Sequence, residues 1–242
     1  MIENRIKFFN ILEEIVPNMA ALSKSDPRLF AIARRQGLGA SDASVYLGVN
    51  LFTTVDELIA QKRSTTITEE EIAIGNLPNV RKGSDLEPLI LSKFAEQMNI
   101  EVFKPSPMYK IIEHPQLTIN FDGVCNMGEL MIPVEAKWVS SYAQKYWDLS
   151  KAINSLTDGV EYTVGGSNIM EHITAQAQMY GIPPYYYTQI QQQMLGLNAP
   201  FGYFAVIFDK LWEFKAFKIF KDDYTQSQLI SESAKVWEII KR

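Results

Sequence analysis

Two acidic residues and a lysine near the middle of the chain have the types and spacing that metal-assisted hydrolysis needs. Glu135 and Lys137 follow an apolar run at residues 130–134, and a β-strand there would place both side chains on one face. Asp122 stands thirteen residues before Glu135, at the end of another predicted strand. Two carboxylates that converge on one point repel each other unless a hard cation such as Mg²⁺ lies between them. The group therefore predicts metal-assisted hydrolysis of a phosphodiester, with a simple ion pair between Glu135 and Lys137 as the alternative.

The composition argues against several other kinds of site. Cys125 is the only cysteine, so the chain has no intrachain disulfide and no multi-cysteine metal site, and we interpret it as a small packed side chain. The histidines are His114 and His172 alone, which argues against a His-based metal site or a catalytic triad. The net charge of −5 argues against a protein that coats nucleic acid, but not against a nuclease whose acidic site binds metal.

The hydrophobic pattern predicts a protein that does not enter a membrane. No apolar stretch approaches the ~20 residues of a membrane helix, and the first residues do not have the pattern of a signal peptide. We therefore expect a cytoplasmic protein, in the host cytoplasm if a phage encodes it.

The elements that must position these residues form one predicted domain over residues 1–242. It has an N-terminal helical part at about 1–62, a catalytic core at about 80–220 and a C-terminal helix at about 222–242. The patterns predict a turn and a helix at residues 22–35, and helices at 2–16, 43–47, 54–62, 84–99, 142–156, 169–180, 183–195 and 222–242. They predict strands at 101–103, 108–113, 117–122, 131–138, 201–208 and 212–220. The expected fold class is α+β, with a central mixed β-sheet flanked by helices.

Five short motifs agree in order and spacing with a known family. They are Arg34 to Asp42 (RRQGLGASD), Gly83 to Pro88 (GSDLEP), Asn120 to Gly123 (NFDG), Val134 to Lys137 (VEAK) and Tyr187 to Gln191 (YTQIQ). From about Arg34 to Phe208 the chain resembles the YqaJ-type viral recombinases, relatives of phage lambda exonuclease within the PD-(D/E)XK nuclease superfamily. The resemblance implies the restriction endonuclease-like core of that superfamily.

The resemblance also implies roles for individual residues. Asp122 and Glu135 would hold Mg²⁺, for which Mn²⁺ should substitute, with the backbone carbonyl of Ala136. Glu87 would reach a metal or its water shell. Lys137 would orient or deprotonate the attacking water, and its pKa should be lowered by the metal charges.

Gln189 matches the family's glutamine on the helix that follows, where it would fix the nucleophile or Lys137. Four glutamines lie within five positions there, so the sequence leaves the choice among them open.

The segment from Arg35 to Ser41 is a candidate phosphate cradle. Its glycines permit close backbone approach, and Arg35 and Ser41 add a cation and a hydroxyl beside a predicted helix start. In enzymes of the lambda exonuclease type the equivalent region recognises the 5′-phosphate of the digested strand. An ordinary capped turn is the alternative.

We therefore expect a Mg²⁺-dependent exonuclease that digests one strand of linear double-stranded DNA from the 5′ end. The resemblance implies that the 3′ single strand serves a phage-type single-strand annealing protein, and that the chain forms a homo-oligomeric ring. Two rival hypotheses stay open at this point. An endonuclease or nickase of the same superfamily would cut closed circular DNA, and a non-catalytic DNA-binding or assembly module would cut neither form. Residues 139–182 form a longer interval than compact family members have, and the sequence does not assign them a role.

Overall fold

The described part of the chain forms two β-sheets with helices packed around them. The computed structural model describes residues 8–10, 27–74, 77–105 and 108–242. Its helices are α1 (Pro27–Arg34), α2 (Ala43–Tyr46), α3 (Val55–Arg63), α4 (Glu69–Ile74), α5 (Pro78–Met98), α6 (Ile169–Tyr180), α7 (Pro184–Leu197) and α8 (Asp223–Lys241). Its strands are β1 (Phe8–Asn10), β2 (Leu38–Gly39), β3 (Val102–Phe103), β4 (Tyr109–Ile111), β5 (His114–Ile119), β6 (Gly123–Met127), β7 (Leu130–Val139), β8 (Phe201–Phe208) and β9 (Glu213–Phe220).

The larger sheet has the order β3-β6-β7-β8-β9, with β7 in the middle. Strands β7 and β8 are parallel and the other neighbours are antiparallel, so the sheet is mixed, as predicted. Adjacent residues of β8 show how the helices cover it. Tyr203 contacts Phe94 of α5, whereas Phe204 contacts Tyr186 of α7, so the two helices lie on opposite faces.

The smaller sheet has the order β1-β4-β5-β2 and lies beside α7. Gln192 of α7 connects the two parts of the fold. Its Nε2 donates to the backbone carbonyls of Leu38 and Thr118, each at 3.0 Å, and its Oε1 accepts from the Tyr46 hydroxyl at 2.7 Å. Because all these groups are buried, the amide fixes β2 and β5 against α7.

The core forms around both faces of the larger sheet. Buried Ile90, Phe94 and Met98 recur every four residues along α5, as predicted. On the other face, Trp147 packs against Phe204 and other aromatic rings of β8 and β9, and so holds the chain between β7 and α6 against the sheet. Each aromatic side chain of this kind buries a larger apolar area than most other side chains do.

Cys125 is fully buried, and burial raises the pKa of its thiol to about 11. This agrees with its interpretation as a packed side chain. Among the described residues, no helix is long and apolar enough to cross a membrane.

Several predicted elements are wrong or incomplete. The helix predicted at residues 2–16 is wrong at Phe8–Asn10, which pair with β4 as a strand, and its remainder lies outside the described residues, as do residues 22–26 of the next prediction. Helix α5 begins at Pro78, six residues earlier than predicted, so Pro88 lies in its interior and leaves the Ser84 carbonyl without its usual N–H partner. The helix predicted at 142–156 is replaced by two short 3₁₀ turns, Ala143–Tyr146 and Leu149–Lys151. Strand β6 was not predicted.

Candidate active site

Asp122 lies in the turn between β5 and β6, where its carboxylate contacts the neighbouring strand. Its Oδ2 accepts a hydrogen bond from the backbone N–H of Ala136, at 3.1 Å. Since Ala136 stands between Glu135 and Lys137, this bond brings the Asp122 carboxylate next to the charged pair on β7. Burial raises the pKa of Asp122 well above its usual value, and the negative charge of Glu135 acts in the same direction.

Glu135 is 3% exposed and is surrounded by donors of its own chain. Lys137 Nζ donates to its Oε1 at 2.6 Å, as expected for residues two apart on one strand face. The Nε2 atoms of two glutamines on α7 also donate to this carboxylate: Gln189 to Oε1, and Gln193 to Oε2 at 2.6 Å. The carboxylate therefore has a fixed orientation.

The glutamines of α7 divide into two groups. Gln189 and Gln193 are four residues apart, so they share the helix face that meets Glu135. Gln191 and Gln192 point to other partners, with Gln191 Nε2 donating to the Phe220 carbonyl at 2.8 Å. The sequence prediction named Gln189 but missed Gln193, for which the four-residue spacing was the available signal.

Lys137 is held as an ammonium by the protein groups around it. Burial alone would lower its pKa, but Glu135, Tyr186 and Asp122 outweigh burial and raise it. Its Nζ also lies 4.8 Å from the centre of the Tyr186 ring, a cation–π contact. The protein groups alone thus raise the pKa of Lys137, whereas the lowering predicted from the sequence would come from bound metal ions.

Glu87 lies on α5 with its side chain 18% exposed. Its carboxylate pairs with Lys104, and its charge contributes to the raised pKa of Asp122. The structure therefore places Glu87 close to the acid pair but engages it with a cation of the protein.

The oxygen atoms at this site form part of a ligand set for a metal ion. Among the described residues, no three His, Cys, Asp or Glu side chains lie close enough to hold a metal ion as they stand, which agrees with the engagement of Glu87 elsewhere. Asn120 Oδ1, however, is buried without a hydrogen-bond partner and its residue lines the same cavity as Asp122 and Glu135. In a β-strand the N–H and the C=O of one residue point to the same side. The Ala136 carbonyl therefore faces the side on which the Ala136 N–H contacts Asp122. These oxygens fit the preference of Mg²⁺ and Mn²⁺ for hard ligands.

A single cavity of about 200 Å³ joins the acid pair to the predicted phosphate cradle. Asp122 and Glu135 line it together with Arg34 and Ser41, and it is also lined by Phe30, Gly39, Ala40, Met108, Thr118, Asn120 and Gln189. The acids come from β7 and the turn before β6, whereas the cation and hydroxyl come from the end of α1 and the 3₁₀ turn Ala40–Asp42. We call Asp122 and Glu135 the acidic corner of the cavity, and Arg34 and Ser41 its cationic corner.

Arg34, rather than the predicted Arg35, is the cation of this cavity. Arg34 Nη2 donates to Ser41 Oγ at 3.3 Å. Arg35 instead pairs with Glu71 of α4 at 2.5 Å, with only 9% of its side chain exposed. Arg34 is the last residue of α1 and Arg35 follows it in a turn, and their adjacent side chains point to different partners. Of the predicted cradle residues, the structure brings Ser41 to the cavity and turns Arg35 away.

A buried ion pair lies beneath the cationic corner. Asp42 Oδ2 accepts from the Gly39 N–H at 2.8 Å and lies 2.6 Å from Lys62 Nζ, which also donates to the Arg34 carbonyl at 2.7 Å. Burial alone would raise the pKa of Asp42, but the charges of Lys62 and Arg34 outweigh it and lower that pKa. The Lys62–Asp42 ion pair therefore connects the end of α1 with the 3₁₀ turn Ala40–Asp42, the two segments that form the cationic corner.

Comparison with known sequences gives a family and a distant relative. The sequence profile described as the YqaJ-like viral recombinase domain matches residues 29–196. The uncharacterized protein YqaJ of Bacillus subtilis (strain 168) is 27% identical over 155 residues, which are 63% of this chain and 45% of that protein. The match thus spans less than half the length of this relative.

Comparison with solved structures shows the fold. The alkaline exonuclease LHK-Exo from Laribacter hongkongensis matches with a TM-score of 0.57 and 16% identity, covering 88% of this chain and 92% of LHK-Exo. LHK-Exo in complex with dAMP matches with a TM-score of 0.55 and 14% identity over the same shares. These likenesses confirm the predicted fold class, a central mixed β-sheet flanked by helices.

Proposed function

This chain belongs to the YqaJ-like viral recombinase family, and on that premise we propose that it is a metal-dependent deoxyribonuclease. We propose further that it digests one strand of linear duplex DNA from the 5′ end. The observation that carries the proposal is the cavity that Asp122 and Glu135 share with Arg34 and Ser41. The likeness of the fold to an alkaline exonuclease supports the same activity.

The acidic corner would bind the metal and place the water. Asp122, Glu135 and the Ala136 carbonyl would hold Mg²⁺ or Mn²⁺, and Glu87 would join them on leaving Lys104. The metal would supply positive charge that stabilises the attacking and leaving oxygens of the phosphodiester. Lys137 would donate a hydrogen bond to the attacking water and orient it, while the Gln189 and Gln193 amides keep the Glu135 carboxylate in place.

The cationic corner would bind the 5′-terminal phosphate. The Arg34 guanidinium and the Ser41 hydroxyl are donors suited to a phosphate, and charge-assisted hydrogen bonds of this kind are among the strong ones. Because a cavity of about 200 Å³ holds both corners, an anchored strand end would put a bond close to that end beside the acids. This arrangement favours an exonuclease over an enzyme that cuts within a strand.

We propose the product and the assembly from the family resemblance. Digestion from the 5′ end would leave a 3′ single strand for a single-strand annealing protein. A homo-oligomeric ring around the DNA would keep the enzyme on its substrate. Both are part of the proposal.

The experiment that tests the proposal compares three DNA substrates. Linear duplex with 5′-phosphate, the same duplex with 5′-hydroxyl, and closed circular duplex are each incubated with Mg²⁺ or EDTA. The proposal predicts loss of linear duplex only, dependent on Mg²⁺ and faster with the 5′-phosphate. Cleavage of the circle would favour an endonuclease, and no cleavage of any substrate would favour a binding module.

A matched pair of variants tests whether Lys137 takes part in catalysis. Lys137→Ala should abolish digestion. Lys215→Ala is its control, because Lys215 also pairs with a glutamate two residues away on a strand, Glu213 at 2.8 Å, but that glutamate does not line the cavity, whereas Glu135, the partner of Lys137, does. Equal activities of the two variants would contradict the role of Lys137.

A further inference from the structure

Four aromatic rings from three separate segments meet at the surface beside the site. Phe52 precedes α3, Tyr142 and Tyr146 lie at the first 3₁₀ turn after β7, and Tyr185 lies in the first turn of α7. The exposed fractions of Phe52, Tyr142 and Tyr146 are 78%, 74% and 48%. We call these four residues the aromatic surface. Clustered exposed apolar side chains of this kind usually mark a binding surface.

Ring contacts connect the aromatic surface to the acid pair. The Phe52 ring lies 5.9 Å from that of Tyr185, and the Tyr185 ring lies 4.5 Å from that of Tyr186. Tyr186 in turn faces Lys137 Nζ at 4.8 Å. Trp147, which follows Tyr146 in the chain, packs with its ring centre 5.7 Å from that of Tyr186. Burial raises the pKa of Tyr185 to about 12, and the nearby Tyr186 and Tyr146 contribute to that shift. The aromatic surface therefore begins next to the proposed catalytic lysine and extends outward.

A cation lies between the two outer rings. Lys145 Nζ is 4.0 Å from the centre of the Tyr142 ring and 5.0 Å from that of Tyr146. Lys145 and Tyr146 also line a cavity of about 320 Å³, together with Thr174 and Gln178. Aromatic faces, a cation and polar side chains thus lie side by side.

These features match the chemistry of single-stranded DNA. Bases have π faces that stack on aromatic rings, and each base is followed by a phosphate that a lysine can neutralise. A purely apolar protein partner would not use a cation placed between the rings. We propose that the aromatic surface binds single-stranded DNA that adjoins the scissile phosphate, with bases stacked on Tyr142 and Tyr146 and a phosphate on Lys145. This inference rests on the proposed function and extends it to the strand outside the cavity.

The test measures binding separately from cleavage. The affinity of a fluorescently labelled oligothymidine is determined by anisotropy in EDTA, where no metal reaches the acidic corner. The variant Tyr142→Ala/Tyr146→Ala should bind about tenfold more weakly or worse, because stacking on each ring is lost. Tyr142→Phe/Tyr146→Phe keeps the rings and should bind within about threefold of the unaltered protein.

One control variant and one further test variant accompany these two. Val160→Ala changes another exposed apolar residue, 60% exposed and outside both cavities, and should leave the affinity unchanged. Lys145→Gln should reduce the dependence of affinity on salt by about one phosphate contact. Circular dichroism checks that each variant is folded.

The possible results separate the two proposals. If the alanine variant binds the oligonucleotide as tightly as the unaltered protein, the inference is overturned, whatever the cleavage result. If only the alanine variant loses affinity but the unaltered protein does not digest linear duplex with Mg²⁺, the binding surface stands and the proposed nuclease function falls. A loss of affinity in both the alanine and the phenylalanine variants would also overturn base stacking.

Discussion

Lys62 Nζ lies 2.6 Å from Asp42 Oδ2 beneath the cationic corner, with the Lys62 side chain only 2% exposed. Neither residue contacts the acid pair, yet the Lys62 ammonium donates to the Arg34 carbonyl and the Asp42 carboxylate accepts from the Gly39 N–H. The positions of Arg34 and of the turn that carries Ser41 therefore depend on one buried ion pair. Asp42 belongs to the first motif of the family resemblance, and this contact gives it a physical role.

Removal of one member of this pair should cost more than removal of both. Lys62→Met leaves the buried Asp42 carboxylate with the half-exposed Arg34, 3.5 Å away, as its remaining cationic partner, and we expect a loss of about 3 kcal/mol in the free energy of unfolding, the low end for a broken buried pair. The double variant Asp42→Asn/Lys62→Met should regain more than half of that loss, since an asparagine can still accept from Gly39. Urea unfolding of the four proteins of this cycle gives the coupling energy. Additive losses would mean that the two groups act independently.

The two neighbouring arginines should differ in their effect on the preference for a 5′-phosphate. Arg34→Gln should reduce the ratio of digestion rates on 5′-phosphate and 5′-hydroxyl duplex about tenfold or more, because a charge-assisted hydrogen bond is lost. Arg35→Gln removes the ion pair with Glu71, so it should lower stability but keep the ratio. The reverse result would restore Arg35 to the role that the sequence predicted.

Gln193 should matter for catalysis as well as stability. Gln193→Ala leaves Glu135 Oε2 without its donor in a buried site, and we expect a loss of about 1–3 kcal/mol in unfolding free energy together with a reduced kcat. Gln191→Ala is the matched control, because Gln191 lies on the same helix and is equally buried but binds Phe220 and Asp222. It should destabilise to a similar extent and leave kcat unchanged below the unfolding temperature. Similar kcat values for both variants would contradict the positioning of Glu135 by Gln193.

Much of this site follows from local sequence rules, and the rest depends on tertiary contacts. Strand alternation predicts that Glu135 and Lys137 share a face, and the structure shows them in contact. No local rule decides between Arg34 and Arg35, because the choice depends on where α1 ends and on Glu71 in another helix. The predicted strand at 117–122 stops before Gly123, which begins β6, a strand whose pairing with β7 is not encoded locally. The first strand was missed for the same reason, since Phe8–Asn10 pair with residues a hundred positions away.

The cap of the last helix should make stability depend on pH below about 4. Asp222 accepts from the Tyr224 and Thr225 N–H groups, and its Oδ2 lies 2.7 Å from His172 Nε2 and 2.9 Å from the Tyr187 hydroxyl. Burial acts to raise the pKa of Asp222, but these hydrogen bonds outweigh it and lower that pKa. A lowered pKa means that the unfolded chain binds more protons, so this stabilisation is present above about pH 3.9 and is lost as the pH falls through the pKa of the folded state.

Asp222→Asn tests that contribution. The variant should lose about 0.5–2 kcal/mol of unfolding free energy at pH 7, and the difference from the unaltered protein should narrow as the pH falls below about 4. Urea unfolding at pH 7, 5 and 3.5 measures both. A difference that stays constant over this range would contradict the assignment.

The most direct test of the central claim follows the two ends of one DNA strand. A linear duplex with a 5′-phosphate carries distinguishable labels on the first and last nucleotides of the same strand, and the release of each label is timed with Mg²⁺. The proposed site predicts that the 5′ label leaves first, as a mononucleotide, and that Asp122→Ala and EDTA each prevent its release. Earlier release of the 3′ label, or equal release by Asp122→Ala, would contradict a metal site at Asp122 and Glu135 that works on an anchored 5′ end.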